Sequence, residues 1–462
     1  MSDSVIAKFV LLGELEALSP LMVGTGSGDV IDAVVLRGYE GNLPFIPATA
    51  LAGVLRHSLA SKPRTTVERY FWGDTVGSDS GSQSHLAVSD LLPVVGVIPR
   101  IVVRDGIRID STTGIVADGA KFNFEVVEPG ATFAVRLEAT VRGWDGKEEN
   151  ASEFESILCR IKSLCEAEGF SLGAMTTRGF GRLKLKNARL FRYDFPADGA
   201  AWFAFLASAT PQEENRRNFK VDQTTPTPSV FSISAKLAIK SSLIIGSAPD
   251  TPDAPDKSHL QSNGAPVLSG TSLRGAMRSR AERIAATLGG EQGVELLNEV
   301  FGWVDPDNGK KAVRSTPLKS RISIDESVIK NVVPAVQSRI RIDRFTGGVA
   351  HGALFDSMPL WNSGESEVSV KVRLGDFTPG ADDWIAGLLL QLLKDLWNGD
   401  LPVGGEKSIG RGVLAGKSAE VSWCGRSVGI VQKGGETVID PGGRDELNRL
   451  AAAFAGKMEG CR

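Results

Sequence analysis

The strongest constraint on this chain is a repeat inside it. Residues 107–122 read IRIDSTTGIVADGAKF and residues 340–355 read IRIDRFTGGVAHGALF; they align without a gap, and 11 of the 16 positions are identical. Their separation of 233 residues is close to half of the 462-residue chain. Three further pairs recur in the same order: PFIPATALAGVLR (44–56) with PVLSGTSLRGAMR (266–278), FWG (71–73) with FGW (301–303), and TRGFGRL (177–183) with SIGRGVL (408–414). Ordered self-similarity at nearly the same spacing means that one folding unit occurs twice, so any fold assigned must be assigned twice. We expect a first domain over 1–208, a polar, Pro- and Thr-rich linker over 209–229, and a second domain over 230–424. A C-terminal extension over 425–462 follows, with a short amphipathic helix near 444–456.

Within each copy the apolar periodicity sets the elements. Copy one opens on the strand-like stretch Val5–Leu18, and copy two on Phe231, Ile233, Ala235, Leu237 and Ile239, a period of two. A turn rich in Pro, Gly and Thr then leads into a helix, marked in copy two by the stripe Leu273, Met277, Ala281, Ile284 and Leu288. A second helix follows late in each copy. Its apolar side carries Phe154, Ile157, Leu158, Ile161, Leu164 and Cys165 in one, and Trp384, Leu388, Leu392 and Leu396 in the other. A glycine-rich turn and a final strand close each copy, RLKLKNARLF (182–191) in the first. Strand, helix, middle strands, helix, strand is the βαββαβ order of a ferredoxin-like fold. The expected class is therefore α+β, as two tandem ferredoxin-like domains with thumb insertions.

Composition excludes some functions. With 42% apolar and 23% charged residues the chain is globular in character, and no run of about 18 apolar residues offers a bilayer span. The opening MSDSVIAKF lacks the basic and apolar regions of a signal peptide, and a reducing cytoplasm is the expected compartment. Cys159, Cys165, Cys424 and Cys461 have neither zinc-site nor disulfide spacing. A net charge of −3 argues against a protein coated in nucleic acid, though affinity follows the local field rather than the total.

Basic residues do gather at particular places. Arg178, Arg182, Lys407 and Arg411 flank the two glycine-rich turns, where free N–H groups can cradle phosphate. The alternative is a tight turn with solvated charges. Thr49 in copy one, and Thr271 and Ser272 in copy two, stand at helix starts, with Arg56, Arg274 and Arg278 on the helices that follow. That is an anion site by geometry, or ordinary N-capping. The IRID segments carry Arg108, Arg341 and Arg344, and we expect them to form protruding thumbs that touch a partner. Acidic, glycine-rich loops precede the first helices: Asp29 and Asp32 in copy one, and Asp250, Asp253 and Asp256 in copy two. The four histidines, including His57 and His351, show no metal-cluster spacing.

These motifs, taken in order, resemble the RAMP superfamily, and more narrowly the backbone subunits of type III CRISPR complexes. The likeness lies in GSGDVIDAVV followed by IPATALAGVLR, in IRIDSTTG and RIDRFTGG, and in GAMTTRGFGR and GGEKSIGRG, and spans most of residues 5–191 and 231–422. The tandem pair looks closest to type III-D. The resemblance implies a ferredoxin-like palm with a thumb, and subunits stacked along a guide RNA (crRNA). It implies thumbs that wedge into the duplex of guide and target RNA. It also implies a loop aspartate that cuts the target with a divalent metal, Mg²⁺ or Mn²⁺.

That aspartate matches Asp32, 16 residues before Ala48, where the family usually has glycine; Asp32 is then also the implied metal ligand. In copy two the same spacing falls on Ala254, between Asp253 and Asp256. Both are candidates, with Asp256 favoured by the neighbouring Lys257. Implied partners are other backbone and small subunits and the large polymerase-like subunit, with no membrane. Three other readings stay open: a non-cutting scaffold, a guide-processing endoribonuclease working through His57, and a metabolite-binding ferredoxin-like protein.

Overall fold

The computed structural model describes residues 4–24, 31–38, 41–61, 63–76, 80–110, 113–143, 149–167, 169–217, 230–247, 254–303 and 317–461. The chain divides into two compact units. The first is Met1–Val103, Asn123–Thr176 and Phe180–Pro226; the second is Arg104–Phe122, Thr177–Gly179 and Thr227–Arg462. Two short pieces of the first repeat, most of its IRID segment and three residues of its glycine-rich turn, thus group with the second unit.

The elements of the first repeat are β1 (Val5–Ala17), α1 (Ala48–Leu59), α2 (Thr66–Trp72), β2 (Leu86–Val88), β3 (Ile101–Ile109), β4 (Val116–Val127), β5 (Thr132–Arg142), α3 (Glu149–Glu166), β6 (Arg182–Asp194) and α4 (Gly199–Ser208). The sheet runs β6–β1–β5–β2, antiparallel throughout. β1 is central, paired with β5 on one edge and β6 on the other, and its alternate residues Phe9, Leu11 and Leu15 are buried in the core. One face of the sheet packs against α1 and α3, where the expected stripe Phe154, Ile157, Leu158, Ile161 and Cys165 is buried. Burial pushes the Cys165 thiol up to about 12, so it is an inert packing group. The opposite face is closed by α4, whose Trp202 and Phe205 pack on Val10, Phe191 and Tyr193. The sequence reading did not anticipate this helix.

The second unit repeats the plan with additions. Its elements are β7 (Phe231–Ile239), β8 (Lys257–His259), α5 (Gly270–Phe301), β9 (Ser327–Pro334), β10 (Gln337–Ile342), β11 (Val349–Met358), β12 (Leu360–Leu374), α6 (Asp383–Asn398), β13 (Leu414–Trp423), β14 (Arg426–Lys433), β15 (Glu436–Ile439) and α7 (Gly443–Glu459). Here the order is β9–β12–β7–β13–β14–β15. α5 extends past the expected stripe and breaks helical geometry at Gly290, whose φ is 60°. The segment after Cys424 is part of this unit's core: Leu447, Leu450, Phe454 and Met458 are buried against α5 and α6. Both repeats are α+β. No helix among the described residues is long and apolar enough to cross a membrane.

Candidate nucleic-acid interface

The acidic loops are placed by strand pairing. In the first unit Ala33 bridges in parallel to Phe124 on β4. This brings Asp32 against Asn123: Asn123 N–H donates to Asp32 Oδ2 at 2.8 Å, and Asp32 N–H donates to Asn123 Oδ1 at 2.9 Å. Asp32 is exposed, and its Oδ1 accepts nothing among the described residues. In the second unit β8 pairs in parallel with β11, Lys257 opposite Ser357. Asp356 N–H then donates to Asp256 Oδ2 at 3.0 Å. Residues 123 and 356 are equivalent at the repeat spacing of 233, so Asp256 occupies in copy two the place of Asp32 in copy one. Asp253 lies outside the described residues. The 16-residue spacing failed in copy two because its loop is two residues shorter between the aspartate and the helix.

Both carboxylates sit at the base of a β-hairpin made by an IRID segment, β3 with β4 and β10 with β11. The expected thumbs are therefore two-stranded hairpins. Their tips are built alike: Asp110 Oδ1 takes Thr113 N–H at 2.7 Å, and Asp343 Oδ1 takes Thr346 N–H at 2.8 Å. The Thr346 and Phe345 N–H groups hold the Asp343 carboxyl below the usual aspartate range. Gly114 and Gly347 follow at φ 72° and 68°, a left-handed conformation that explains the glycine of the repeated TG step. Apolar side chains are left in solvent along both hairpins, including Ile107, Ile109, Ile115, Ile340 and Ile342, with Phe345 99% exposed. Arg108, Arg341 and Arg344 are exposed beside them. Such surfaces mark contact sites rather than core.

At the start of α5 the second unit concentrates positive charge. Gly270 lets the turn 177–179 approach closely, since a Cβ there would stand 2.3 Å from the Arg178 carbonyl oxygen. Arg178, Arg274 and Arg278 are consequently neighbours. Burial, reinforced by Arg178 and Arg278, pushes Arg274 down to about 10; burial and Arg278 lower Arg178 too. Arg278 is paired with Glu282 at 2.9 Å. Arg274 hydrogen-bonds the Phe301 carbonyl, leaves its Nε buried without a partner, and has no carboxylate among the described residues. Crowded, half-buried guanidiniums of this kind can receive a phosphate, which would offset their repulsion.

The hydroxyls at this helix start are tied to each other. Ser269 caps Ser272 N–H at 3.2 Å, and Thr271 donates to Ser269 Oγ at 3.1 Å. Ser269 is thus the N-cap, and the hydroxyls of Thr271 and Ser272 bond to it. α1 differs: Pro47 precedes it without a side-chain cap, Asp90 Oδ1 takes the Ala48 N–H at 2.7 Å, and Thr49 is exposed.

The two glycine-rich turns share a backbone but not their charges. Met175 and Glu406 adopt φ 56° and 57°, and one 3-10 turn follows each, at Thr176–Arg178 and Lys407–Ile409. Arg411 is only 2% exposed and pairs with Glu406 at 2.9 Å, so its charge is used inside the protein. Lys407 is lowered by burial and by Arg283. Arg182 is half-buried, its N–H bonded to Ser19 Oγ at 3.0 Å. His57 is exposed on α1. Asn123, Asp356 and Glu406 escaped the sequence reading. Carrying the IRID alignment one residue further would have paired Asn123 with Asp356.

Two equivalent acidic hairpin bases and a duplicated α+β plan define a chain built from one domain type used twice, and comparison with known proteins identifies the family. A model of the RAMP superfamily matches residues 14–184 and again 236–415, so the chain belongs to that superfamily and carries its domain in tandem. Over 217 residues it is 28% identical to the CRISPR system Cms endoribonuclease Csm3 of Mycobacterium tuberculosis, covering 40% of this chain and 88% of that protein.

Proposed function

We propose that the chain is a tandem backbone subunit of a type III CRISPR effector complex, in which it holds guide RNA and cuts complementary target RNA at Asp32 and Asp256. The observation that carries this reading is the equivalent seating of those two carboxylates, each accepting a backbone N–H through Oδ2 at the base of an equivalent hairpin. The sheet order of the first repeat, β6–β1–β5–β2, supports the ferredoxin-like reading of the palm. The arginines at the start of α5 receive guide phosphates. The exposed apolar flanks of the hairpins press into the duplex and unstack it.

Unstacking splays the target backbone, so that a ribose 2′-hydroxyl lines up with the adjacent phosphate. The free Oδ1 of Asp32 or Asp256 takes the hydroxyl proton or orients it. The 2′-oxygen attacks phosphorus, the 5′-oxygen leaves, and a 2′,3′-cyclic phosphate remains. No three His, Cys, Asp or Glu side chains converge among the described residues. One carboxylate oxygen fits Mg²⁺ or Mn²⁺ only where the RNA phosphate supplies further ligands, a mode usual for Mg²⁺. Asp32 or Asp256 would hold that ion, which would neutralise charge on the phosphate.

The test is a target-cleavage map of the assembled complex. Asp32→Asn removes one cut, Asp256→Asn another, and the double variant both, with guide retained throughout. A target carrying 2′-deoxyribose at a cut survives there. Unaltered cuts in the double variant would leave the chain a scaffold.

A further inference from the structure

We infer that a cavity beside α1 is a pocket for one unstacked nucleobase, so that the first repeat reads a base where the second grips only phosphate. This rests on the RNA-binding reading above. The cavity measures about 290 Å³ and lies between α1 and α2, with Ala52, Gly53 and Arg56 on one side, Trp72 on another, and Leu86 and Val88 as its apolar floor. That is just below the range of about 300–1,000 Å³ for sites enclosing a whole small molecule. It suits a single base and excludes a duplex.

Three observations select the occupant. Trp72 is 5% exposed, and its indole N–H is buried with no acceptor among the described residues. An orphaned buried donor costs folding free energy unless a ligand satisfies it. Arg56 lines the same cavity and has no carboxylate partner among the described residues. The third observation comes from the repeat. Ala52 stands where copy two has Arg274, and Arg56 where it has Arg278. In copy two those guanidiniums donate to the carbonyls of Phe301 and Gly302, the counterparts of Phe71 and Trp72. Copy one lacks the filling side chain, and the space is bounded by apolar walls, by the hydroxyl-bearing Thr49 and Ser84, and by the single cation Arg56. A cationic side chain of a partner is therefore repelled. A base edge bearing a carbonyl oxygen, such as O2 of a pyrimidine, accepts from Trp72 Nε1 while its phosphate meets Arg56.

The experiment compares the full-length chain and two variants in binding an oligouridylate and a ribose-phosphate oligomer of equal length without bases. Trp72→Phe keeps an aromatic ring and removes the donor. It should weaken the oligouridylate about fivefold, the equivalent of about 1 kcal/mol, and leave the baseless oligomer unchanged, which shows that the rest of the RNA site is intact. Ala52→Arg fills the cavity with the side chain of copy two; it should tighten the baseless oligomer and abolish the preference for bases. In the assembled complex, 4-thiouridine placed in guide or in target shows by its cross-link near Trp72 which strand supplies the base. Equal effects on both oligomers, or none, overturn the pocket. So does loss of a neighbouring subunit without change in RNA binding, which would assign the cavity to a protein side chain. If Arg274→Met weakens RNA while Trp72→Phe does not, only the pocket falls. If the wild-type chain and complex bind no RNA, the functional reading falls with it.

Discussion

Replacing Arg274 by methionine separates folding from function at the arginine cluster. The Arg274 guanidinium is pushed from 12.5 to about 10. At 1.36 kcal/mol per pH unit this is about 3 kcal/mol against the charged side chain in the free protein. Its hydrogen bond to the Phe301 carbonyl returns about 1.5–3 kcal/mol, the range for bonds to a charged group. The two terms nearly cancel. Methionine keeps the apolar stem and removes the repulsion, so the free variant should melt at the wild-type temperature or a few degrees above it. Bound phosphate changes the balance, because an anion between Arg178, Arg274 and Arg278 offsets their mutual repulsion. Wild type should therefore gain thermal stability with inorganic phosphate or single-stranded RNA, and Arg274→Met should gain much less. The slope of log Kd for RNA against log salt should fall by about 0.7 for each RNA phosphate that the variant no longer neutralises. The assays are thermal melts with and without ligand, and a salt titration of RNA affinity. A loss above about 2 kcal/mol in the ligand-free variant would make Arg274 a structural residue. An undiminished phosphate response would show that the cluster is no receptor.

Other perturbations follow from the same geometry. Burial pushes His259 down to about 4, its Nδ1 accepting Ile245 N–H at 3.2 Å and its Nε2 meeting the Val267 carbonyl at 3.0 Å. The folded protein keeps it neutral while the unfolded chain takes a proton near 6.5, so its stabilising effect is full above that pH. It is lost as pH falls to about 4, by about 3 kcal/mol in all; pH-dependent urea melts should show this slope, and His259→Gln should flatten it. A Cβ on Gly412 would stand 1.9 Å from the Val403 carbonyl oxygen at φ 78°. Gly412→Ala should cost more than about 1 kcal/mol by thermal unfolding; a neutral result would mean the turn can relax. Asp343→Ala should leave the global melting temperature unchanged but speed amide exchange at Phe345 and Thr346. Unchanged exchange there would show that the hairpin tip does not depend on this carboxylate.

Much of this protein was legible in its residues because the deciding interactions are local. The D-x-x-T-G step makes the same turn at Asp110 and Asp343, since aspartate, threonine and glycine bond within a few residues. The period of two in Phe231–Ile239 and the apolar stripes of α3 and α6 dictated a half-buried strand and two packed helices for the same reason. Duplication itself needed no structure at all. What the sequence left open depends on residues far apart. Asp256 was distinguished by the hydrogen bond to Asp356, one hundred positions away, after loop spacing had pointed to Ala254. Arg411 looked like its neighbours in the turn until Glu406 and burial took its charge inward. Arg178 joined Arg274 only because Gly270 admits the turn to the start of α5, and α4 closed a sheet face that the βαββαβ pattern leaves bare. Pairing, burial and crowding of like charges are properties of surfaces meeting in space, and the spacing of letters along a chain does not encode where those surfaces meet.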